Sequence, residues 1–574
     1  MASRGYLHPF VDGCRYESGV GEDIRTVVEL KMSKLSYYIR STPSWWLHLN
    51  DSISLAAWMD VGLNDGYLQI GKANAQEEED EIYILRNASP LTQQQVLWVL
   101  SELSCYAVQI DPATGCQPSC FERIWESDSL LDEGLAQQLC NEITARFLDD
   151  EITRNTYIRQ IKSLNEDIES PIILDFVHPH DFPAISSRTI QRYNIPGTEE
   201  CELRTVILNR YVTAIPTEFY LPNHGPPQRV GYITNIPPTK PFLPLLSLIE
   251  HSIGKFIPLF EHTLTALHRA NRILLEPRIP SSSCTFSYEK GPDPPDEPGQ
   301  GIGEDEEDEE DETLWVSWAA DHARWVQSRK SIPPDLPSEK FKHKLPNGIL
   351  PENRVSLKDR KIQVFIKLTR LELTPEQPVF AGGEWSSEGS QEDHIVACGS
   401  VVLEQHNVTE GRIRFRMAVT RPNLGVDDPD SAAFFYWGKR RGSTLNQEIG
   451  SVVMKLRRLI VYPNIYQHRI SSFKLVDPNF SGHRTILSIS LVDPEISVLS
   501  TADIPPQQAS WAFDALLESL DKRLPVEIVQ KIIGHAVEQI YFLEDQQRWP
   551  LRRLMDLNQQ LDRDMLKRYF EQPL

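Results

Sequence analysis

Tyr462-Pro-Asn-Ile-Tyr-Gln-His-Arg-Ile-Ser-Ser-Phe473 and, shortly after it, Gly482-His-Arg-Thr-Ile-Leu-Ser-Ile-Ser490 are the two stretches that decide the predicted fold. His468 lies near the start of one predicted strand. Arg484 opens the next apolar strand, after a connection that contains Pro and Gly. The two stretches therefore predict consecutive strands that carry one histidine and one arginine.

The sequence around these stretches predicts many further strands. Ile362–Leu368 and Arg412–Val419 alternate apolar and polar residues, and His394–Leu403 is a more continuous apolar strand. Asn407–Gly411 has the composition of a turn between the last two. The remaining predicted strands are 450–461, 466–475 and 484–492. Antiparallel strands separated by turns predict a barrel or a sandwich.

The order of His468 and Arg484 matches the needs of a non-haem iron oxygenase. The histidine would be the distal iron ligand on the inner face of the barrel. The arginine would bind the far carboxylate of 2-oxoglutarate through two hydrogen bonds of its planar guanidinium. Simpler alternatives are a hydrogen-bonded, partly buried histidine and a structural ion pair of Arg484 with an acid such as Asp477.

Such an iron site needs two more ligands, usually a His-x-Asp or His-x-Glu pair upstream. Residues i and i+2 of a strand face the same side, so both can reach one metal ion. The well-placed candidate is Gly383-Glu-Trp-Ser-Ser-Glu-Gly389. It supplies the carboxylate, Glu388, and has no histidine; Glu388 taken alone could equally be a solvated turn residue.

Several longer motifs, in order along the chain, resemble the fungal family known as domain of unknown function 4246. They are Leu91-Thr-Gln-Gln-Gln-Val, Trp125-Glu-Ser-Asp-Ser-Leu, Leu174-Asp-Phe-Val-His-Pro179, Leu445-Asn-Gln-Glu-Ile-Gly450, Tyr462–Arg469 and Gly482-His-Arg-Thr-Ile-Leu. The family carries a Gly-Gly-x-Trp-His-x-Glu-Gly segment. The resemblance implies an iron-type His-x-Glu site that a later histidine completes.

Carried over to this sequence, Glu388 and His468 match metal ligands, and Arg484 matches the residue that binds the co-substrate. Ser386 stands where the family has histidine. The implied cofactors are Fe(II) and 2-oxoglutarate. The implied fold is α+β: an antiparallel double-stranded β-helix, cupin- or jelly-roll-like, in the C-terminal half, with helical N-terminal and C-terminal elaborations. A serine hydroxyl is a poorer ligand than imidazole, so the departure predicts an impaired metal site.

Two functions follow as hypotheses. The first is an oxygenase-like enzyme of the Fe(II)/2-oxoglutarate type that acts on a small organic substrate, with secondary metabolism suggested by the family resemblance. The second is a catalytically inactive barrel that serves as a binding or scaffold protein. Position 386 distinguishes them, although His394 or His483 could replace the missing ligand.

The composition along the chain predicts five regions. Residues 1–85 are a small helical region, and 86–279 are a mixed helical and strand region that packs on the barrel. Residues 280–313 are an acidic, Pro- and Gly-rich disordered loop. The double-stranded β-helix core covers 314–510, and 511–574 form C-terminal helices. Within 86–279, Thr92 begins a capping box, and a helical pair is expected over 243–275, broken near Pro258.

Charge and hydropathy exclude several classes of partner. The formal net charge is −23, with nine consecutive acids from Glu304 to Glu312, which disfavours nucleic acid binding. The N-terminus has no apolar signal region, and the most apolar window, Pro241–Leu264, is interrupted by prolines and charges. We therefore expect no membrane association and an intracellular location, cytoplasmic or nuclear. Motifs of serine hydrolases, P-loop proteins, zincins and kinases are lacking.

Two other clusters resemble metal sites. His178-Pro-His180-Asp181 ends a predicted buried strand over Pro171–Val177, so a structural role is the stronger interpretation. Cys116 and Cys120 are four residues apart, but no second close pair completes a zinc-ligand set. Both cysteines are predicted to be ordinary reduced thiols.

Overall fold

The structure of the protein is a computed structural model. This structure describes residues 5–12, 23–69, 84–85, 88–158, 171–194, 201–268, 271, 277–279, 287–298, 309–332, 335–336, 354–422, 428–440, 442–508, 511, 524–539 and 545–570.

Helices flank a β-rich centre. The helices are α1 Pro9–Asp12, α2 Val27–Arg40, α3 Ser52–Leu63, α4 Gln93–Val108, α5 Glu133–Ile143, α6 Glu151–Thr156, α7 Leu243–Leu267, α8 Glu309–Ser328, α9 Asp430–Trp437, α10 Val526–Gln539 and α11 Asp545–Phe570.

The strands before residue 300 are mostly short. They are β1 Gln117–Pro118, β2 Trp125–Ser127, β3 Ile172–Val177, β4 Ala184–Ile185, β5 Ile190–Asn194, β6 Cys201–Thr205, β7 Val212–Thr213, β8 Thr217–Leu221, β9 Gln228–Arg229 and β10 Ser287–Tyr288. Those after it are β11 Ser331–Ile332, β12 Arg360–Leu373, β13 Val379–Phe380, β14 Ile395–His406, β15 Arg412–Ala418, β16 Asn446–Val453, β17 Leu459–Pro463, β18 Gln467–Ile470, β19 Phe473–Lys474 and β20 Gly482–Val492.

A nine-stranded antiparallel sheet forms the centre, in the order β1-β2-β17-β14-β20-β12-β8-β9, with β3 also paired to β12. Strand β20 is paired along its length with β12 on one side and β14 on the other. Because alternate residues of β20 face the same side, Arg484 shares a face with Ser488 and Ser490. This face is the one that carries the candidate site.

A three-stranded sheet, β16-β15-β18, packs on that face. Phe415 of β15 contacts Tyr462 of β17 with ring centroids 5.0 Å apart. The residues around Ser386 extend this sheet at its β18 edge, through an antiparallel bridge between Ser386 and His468. Mixed helices and antiparallel sheets confirm the predicted α+β class, but the two sheets do not close into one continuous barrel among the residues described.

Helix α7 covers the outer side of the large sheet, against β17, β14 and β2. The prediction of two helices broken near Pro258 was wrong, because one helix runs from Leu243 to Leu267 with Pro258 inside it. Burial of its apolar face, including Phe256 and Phe260, outweighs the hydrogen bond that proline cannot donate. By length and composition the segment Lys240–Leu267 could cross a membrane, yet this packing is that of a core helix.

The N-terminal helices α2, α3 and α4 pack together around a core of their own. The predicted capping box is confirmed: the Thr92 side chain accepts from the Gln95 backbone, and the Gln95 side chain accepts from the Thr92 backbone. Helix α8 crosses the predicted boundary at 313/314, and the described residues 287–298 lie along it. Within the predicted loop, residues 280–286 and 299–308 lie outside the described chain.

Candidate active site

The structure brings Ser386, Glu388 and His468 together at the edge of the small sheet. Ser386 and His468 are partners in an antiparallel bridge. The Nε2 atom of His468 lies 3.4 Å from Oε1 of Glu388. The predicted carboxylate and imidazole are thus neighbours, although 80 residues separate them in sequence.

Asn464 fixes the backbone at Glu388. Its amide oxygen accepts from the Glu388 backbone N–H at 2.8 Å, and its amide nitrogen donates to the Glu388 carbonyl at 2.9 Å. The same nitrogen donates to the Ile395 carbonyl at 3.1 Å, and Asn464 is completely buried. A fully satisfied buried amide of this kind specifies one local conformation. Asn464 therefore positions Glu388.

The surroundings of His468 are dry. Tyr462 packs against its ring with centroids 4.8 Å apart. Burial first, and then the charges of Cys398 and Glu388, raise the pKa of Tyr462 well above its usual value. Burial similarly raises the pKa of the Cys398 thiol. Both groups stay protonated at physiological pH, so they add no negative charge beside Glu388.

An open cavity of about 1140 Å³ lies in front of Ser386 and Glu388. Its floor is made by the shared face of β12 and β20, with Lys367, Ser488 and Ser490. Three further elements complete its wall: the end of β3, the segment 384–395 and helix α11. A cavity of this size is large enough for a small organic molecule.

Arg484 lies on the same face of β20 but beyond the end of this wall, roughly 13 Å from Ser488 at 3.3 Å per residue. Its side chain is completely buried. Nη2 donates to the Thr409 carbonyl at 2.8 Å, and the guanidinium lies 4.3 Å from the centroid of the Phe473 ring. Nε and Nη1 make no hydrogen bond to any described residue. The alternative interpretation of Arg484, an ion pair with Asp477, is not formed between these two described residues; Asp477 instead accepts from the Asn479 backbone.

Burial removes the positive charge of Arg484 from water, and little negative charge nearby compensates for it. Desolvation lowers the pKa of Arg484 to about 10, and only Glu410 opposes this with its charge. Gly411 leaves room for the guanidinium, since a Cβ there would lie 2.1 Å from Nη1. A carboxylate is the group that two unused guanidinium N–H donors fit. Arg484 itself does not line the cavity in front of Ser386, so a carboxylate that reached its two donors would have to enter the space beside Thr409 and Gly411.

The residues do not fit a three-ligand iron site. A 2-His-1-carboxylate triad needs one imidazole more than Glu388 and His468 provide. Within the described ranges, no group of three His, Cys, Asp or Glu side chains could hold a metal ion. In addition, Nδ1 of His468 is buried and has no partner in the described chain, whereas a ligating histidine normally donates its second N–H.

The two proposed substitutes for the missing histidine are engaged elsewhere. His394 has a left-handed backbone and packs edge-on against His8, with ring centroids 5.8 Å apart. His483 points to the opposite face of β20 from Arg484, and its Nε2 lies 3.3 Å from Glu404. Neither ring contributes to the cavity wall in front of Ser386.

The His178–Asp181 cluster does reach the cavity. His178 and His180 line it, and Nδ1 of His180 lies 2.7 Å from Asp556. Asp181 instead faces Arg552 of α11 at 3.5 Å. The sequence analysis interpreted this cluster as the end of a strand and did not place it at the same cavity as Ser386. That position depends on the pairing of β3 with β12, and residues so far apart in sequence give no local pattern for it. The cysteines Cys116 and Cys120 are buried free thiols.

Arg552 is a second residue that sequence reasoning missed. Its Nη2 lies 2.5 Å from Asp175 and Nη1 lies 3.5 Å from Asp181, and all three side chains are buried. This ion pair holds α11 against the end of β3, and residues of both regions line the cavity. A possible signal was Asp175 itself, a carboxylate inside a predicted buried strand, which requires a cation from elsewhere.

Comparison with known proteins identifies the family. A search of the curated proteins finds no significant match. Among solved structures, the chain is similar to the Fe(II)/(alpha)ketoglutarate-dependent dioxygenase TqaL, with 12% identity over 28% of this chain and 54% of that one, at a TM-score of 0.16. IDO from Bacillus thuringiensis gives 11% identity over 29% of this chain and 68% of that one, at a TM-score of 0.15.

A bsmA homolog from Methylobium petroleophilum PM1 gives 12% identity over 31% of this chain and 50% of that one, at a TM-score of 0.13. TM-scores this low do not establish a common fold, and this chain spans about half the length of TqaL. The family model described as "Protein of unknown function (DUF4246)" matches residues 93–515. Since that match covers most of the sequence, the chain belongs to the DUF4246 family.

Proposed function

We propose that this protein binds a small carboxylic acid of the 2-oxoglutarate type through Arg484, on a framework derived from iron and 2-oxoglutarate oxygenases, and that its metal site is impaired. The observation that carries the proposal is the complete burial of Arg484 with two unused N–H donors. An uncompensated buried charge costs several kcal/mol. A bound carboxylate would remove most of that cost.

The strand order supports the framework. The large sheet contains β17-β14-β20-β12, and the small sheet contains β16-β15-β18 with the Ser386 chain beside β18. Two facing antiparallel sheets, with sequential strands that alternate between them, are the pattern of a double-stranded β-helix or jelly roll. In this proposal Glu388 and His468 descend from metal ligands, and the inactive binding protein is the favoured hypothesis.

The test measures 2-oxoglutarate binding by calorimetry without metal, and Fe(II) binding under anaerobic conditions. We expect the wild type to bind 2-oxoglutarate, Arg484→Met to lose at least about tenfold in affinity, and Fe(II) to bind weakly with or without 2-oxoglutarate. Succinate, which lacks the oxo group, is the matched ligand. Equal binding by Arg484→Met would contradict the proposed role of the arginine.

An active oxygenase is the second candidate, because His178 and His180 line the same cavity as Ser386 and Glu388. One of them would then supply the third ligand after a local rearrangement. Tight Fe(II) binding by the wild type, lost in His178→Ala or His180→Ala, would favour this candidate. An uncoupled 2-oxoglutarate decarboxylation assay would then be the next measurement.

A further inference from the structure

Helix α8 carries a row of aromatic side chains on one side, which we call the aromatic row: Trp315, Trp318, His322 and Trp325. Their spacings of three and four residues place them one above another on the helix. The ring centroids of Trp315 and Trp318 are 5.5 Å apart, those of Trp318 and His322 are 4.9 Å apart, and those of His322 and Trp325 are 5.5 Å apart. All four side chains are partly exposed.

The chain's own residues 291–298, here called the proline segment, lie on this row. The indole N–H of Trp325 donates to the Pro292 carbonyl at 2.8 Å. That of Trp318 donates to the Pro295 carbonyl at 3.2 Å. The segment therefore runs antiparallel to the helix and is held through main-chain carbonyls rather than through side-chain charges.

The sequence of the proline segment favours an extended conformation. It reads Gly291-Pro-Asp-Pro-Pro-Asp-Glu-Pro298. Proline fixes its own φ, and the residue before a proline is also restricted to extended conformations. Pro292, Pro295, Asp296 and Pro298 do not precede a proline, and three of those four are themselves prolines. The segment is therefore pre-organised for polyproline II geometry before it touches the helix.

The distance between the two indoles along the helix matches the distance between the two proline carbonyls that they contact. The seven residues from Trp318 to Trp325 span roughly 10.5 Å of α-helix. The three residues from Pro292 to Pro295 span roughly 9.3 Å of polyproline II helix. One polyproline turn therefore brings successive carbonyls within reach of successive indole N–H groups. This is a recognition geometry for a proline-rich chain, and it does not depend on which chain supplies it.

The contact between the proline segment and the aromatic row is tethered at one end but is only lightly buried. Strands β10 and β11 pair at its base, and the Arg329 guanidinium lies 3.5 Å from the Tyr288 ring and 4.8 Å from the Trp325 ring. Most of the proline segment is exposed. Its three acids, Asp293, Asp296 and Glu297, precede the acidic run Glu304–Glu312 that leads into the helix. Because the whole chain carries a formal net charge of −23, the acids in this segment weaken its attachment.

We propose that the aromatic row is a binding site for a proline-rich, basic peptide segment of a partner protein, and that the proline segment occupies the site in cis until such a partner replaces it. Proline supplies the carbonyl spacing, and Lys or Arg in place of the three acids gains attraction from a chain whose formal net charge is −23. The cis segment acts as a competitor at a high effective concentration. The site is independent of Arg484 and of the cavity beside Ser386.

The test uses the full chain with Pro292, Pro294, Pro295 and Pro298 each changed to Ser, which weakens the cis occupant. A labelled peptide of residues 289–299 in which Asp293, Asp296 and Glu297 are Lys is titrated and followed by fluorescence anisotropy. We expect it to bind this variant about tenfold more tightly than the wild type. We also expect it to bind about tenfold more tightly than the unchanged acidic peptide, with a strong dependence on salt.

Changing Trp318 and Trp325 to Phe keeps the rings and removes the two N–H donors, so it should reduce peptide affinity by about tenfold or more. Trp315→Phe is the matched control, since Trp315 makes no hydrogen bond to the described proline segment, and it should leave affinity unchanged. Circular dichroism and the thermal midpoint check that each variant folds. The proposal is overturned by an absence of saturable binding up to about 1 mM peptide, or by equal binding of a peptide with Ala for Pro. It is also overturned if the wild type exchanges the segment between two copies to form a dimer.

Discussion

Ser386 and His468 exchange both of their backbone hydrogen bonds. The Ser386 N–H donates to the His468 carbonyl at 3.1 Å, and the His468 N–H donates to the Ser386 carbonyl at 2.9 Å. Such a pair places the two Cα atoms about 5.5 Å apart with their side chains on the same face. Position 386 is therefore already beside the His468 imidazole.

The substitution Ser386→His should create a metal site. The new imidazole would join Glu388 and His468, giving two nitrogen ligands and one carboxylate. We expect affinity for Co(II), a redox-stable probe, to rise by about tenfold or more, as measured by calorimetry. The double variant Ser386→His/Glu388→Ala is the control and should lose the gain. An unchanged affinity in Ser386→His would show that the three side chains cannot reach one ion.

Arg484→Met should stabilise the protein when no ligand is present. The guanidinium is fully buried with two unused donors, and methionine fills similar space without the desolvation cost. We expect the free energy of unfolding in urea to rise by about 1 kcal/mol. Lys474→Met is the matched control: it removes one positive charge at an exposed position and should change the free energy of unfolding little. A loss of stability would mean that the bond to Thr409 and the Phe473 contact make Arg484 a structural residue.

His262 should make the protein sensitive to acid. Its ring stacks on Trp125 with centroids 4.1 Å apart, and burial, followed by Arg354, lowers the pKa of His262 to about 4. The unfolded chain takes up this proton near pH 6.5, so stability is full above that pH and is lost as pH falls towards 4. From pH 7.5 to 5 the loss should be about 2 kcal/mol.

His262→Phe should remove that part of the pH dependence and keep the stacking on Trp125. Urea unfolding at the two pH values measures it, by comparison with wild type. His251→Gln, an exposed position on the same helix, is the control and should behave like the wild type. An identical acid response in His262→Phe and the wild type would refute the assignment to this histidine.

Arg552→Met should destabilise the protein by about 3–5 kcal/mol, because it leaves Asp175 and Asp181 buried without their cation. The matched control is Arg553→Met, which removes an exposed charge at the neighbouring position. Urea unfolding compares the two. We also expect Arg552→Met to increase protease cleavage in α11. Equal stability of both variants would mean that α11 is held to the sheet by other contacts.

Strand positions were predictable where the residues alternate or form an apolar run. The predicted strands at 362–368, 394–403 and 412–419 correspond to β12, β14 and β15. The predicted strand 450–461 is in fact two strands, because β16 ends at Val453 and β17 begins at Leu459. Between them Arg457 adopts a positive φ, which apolar periodicity does not reveal.

The candidate site was predictable only in part. The local motif around Glu388 and the stretch around His468 are recognisable in sequence, and they are neighbours in the structure. The roles of Arg552 and of His178 depend on contacts between distant segments, so no local pattern indicates them. Asn464 lies inside the stretch quoted for His468. Its role in positioning Glu388 rests on hydrogen bonds to the Glu388 backbone N–H and carbonyl, which only the folded chain brings next to it.

The pairing of Arg552 with Asp175 joins positions 377 residues apart. During synthesis, β3 and the residues that follow it leave the ribosome long before α11, so Asp175 and Asp181 lack the Arg552 cation until α11 is made. The cavity wall is therefore complete only once α11 has been translated, and contacts of such long sequence separation form slowly. A chain halted before Asp545 would leave Asp175 and Asp181 without the Arg552 cation that pairs with them in the complete fold.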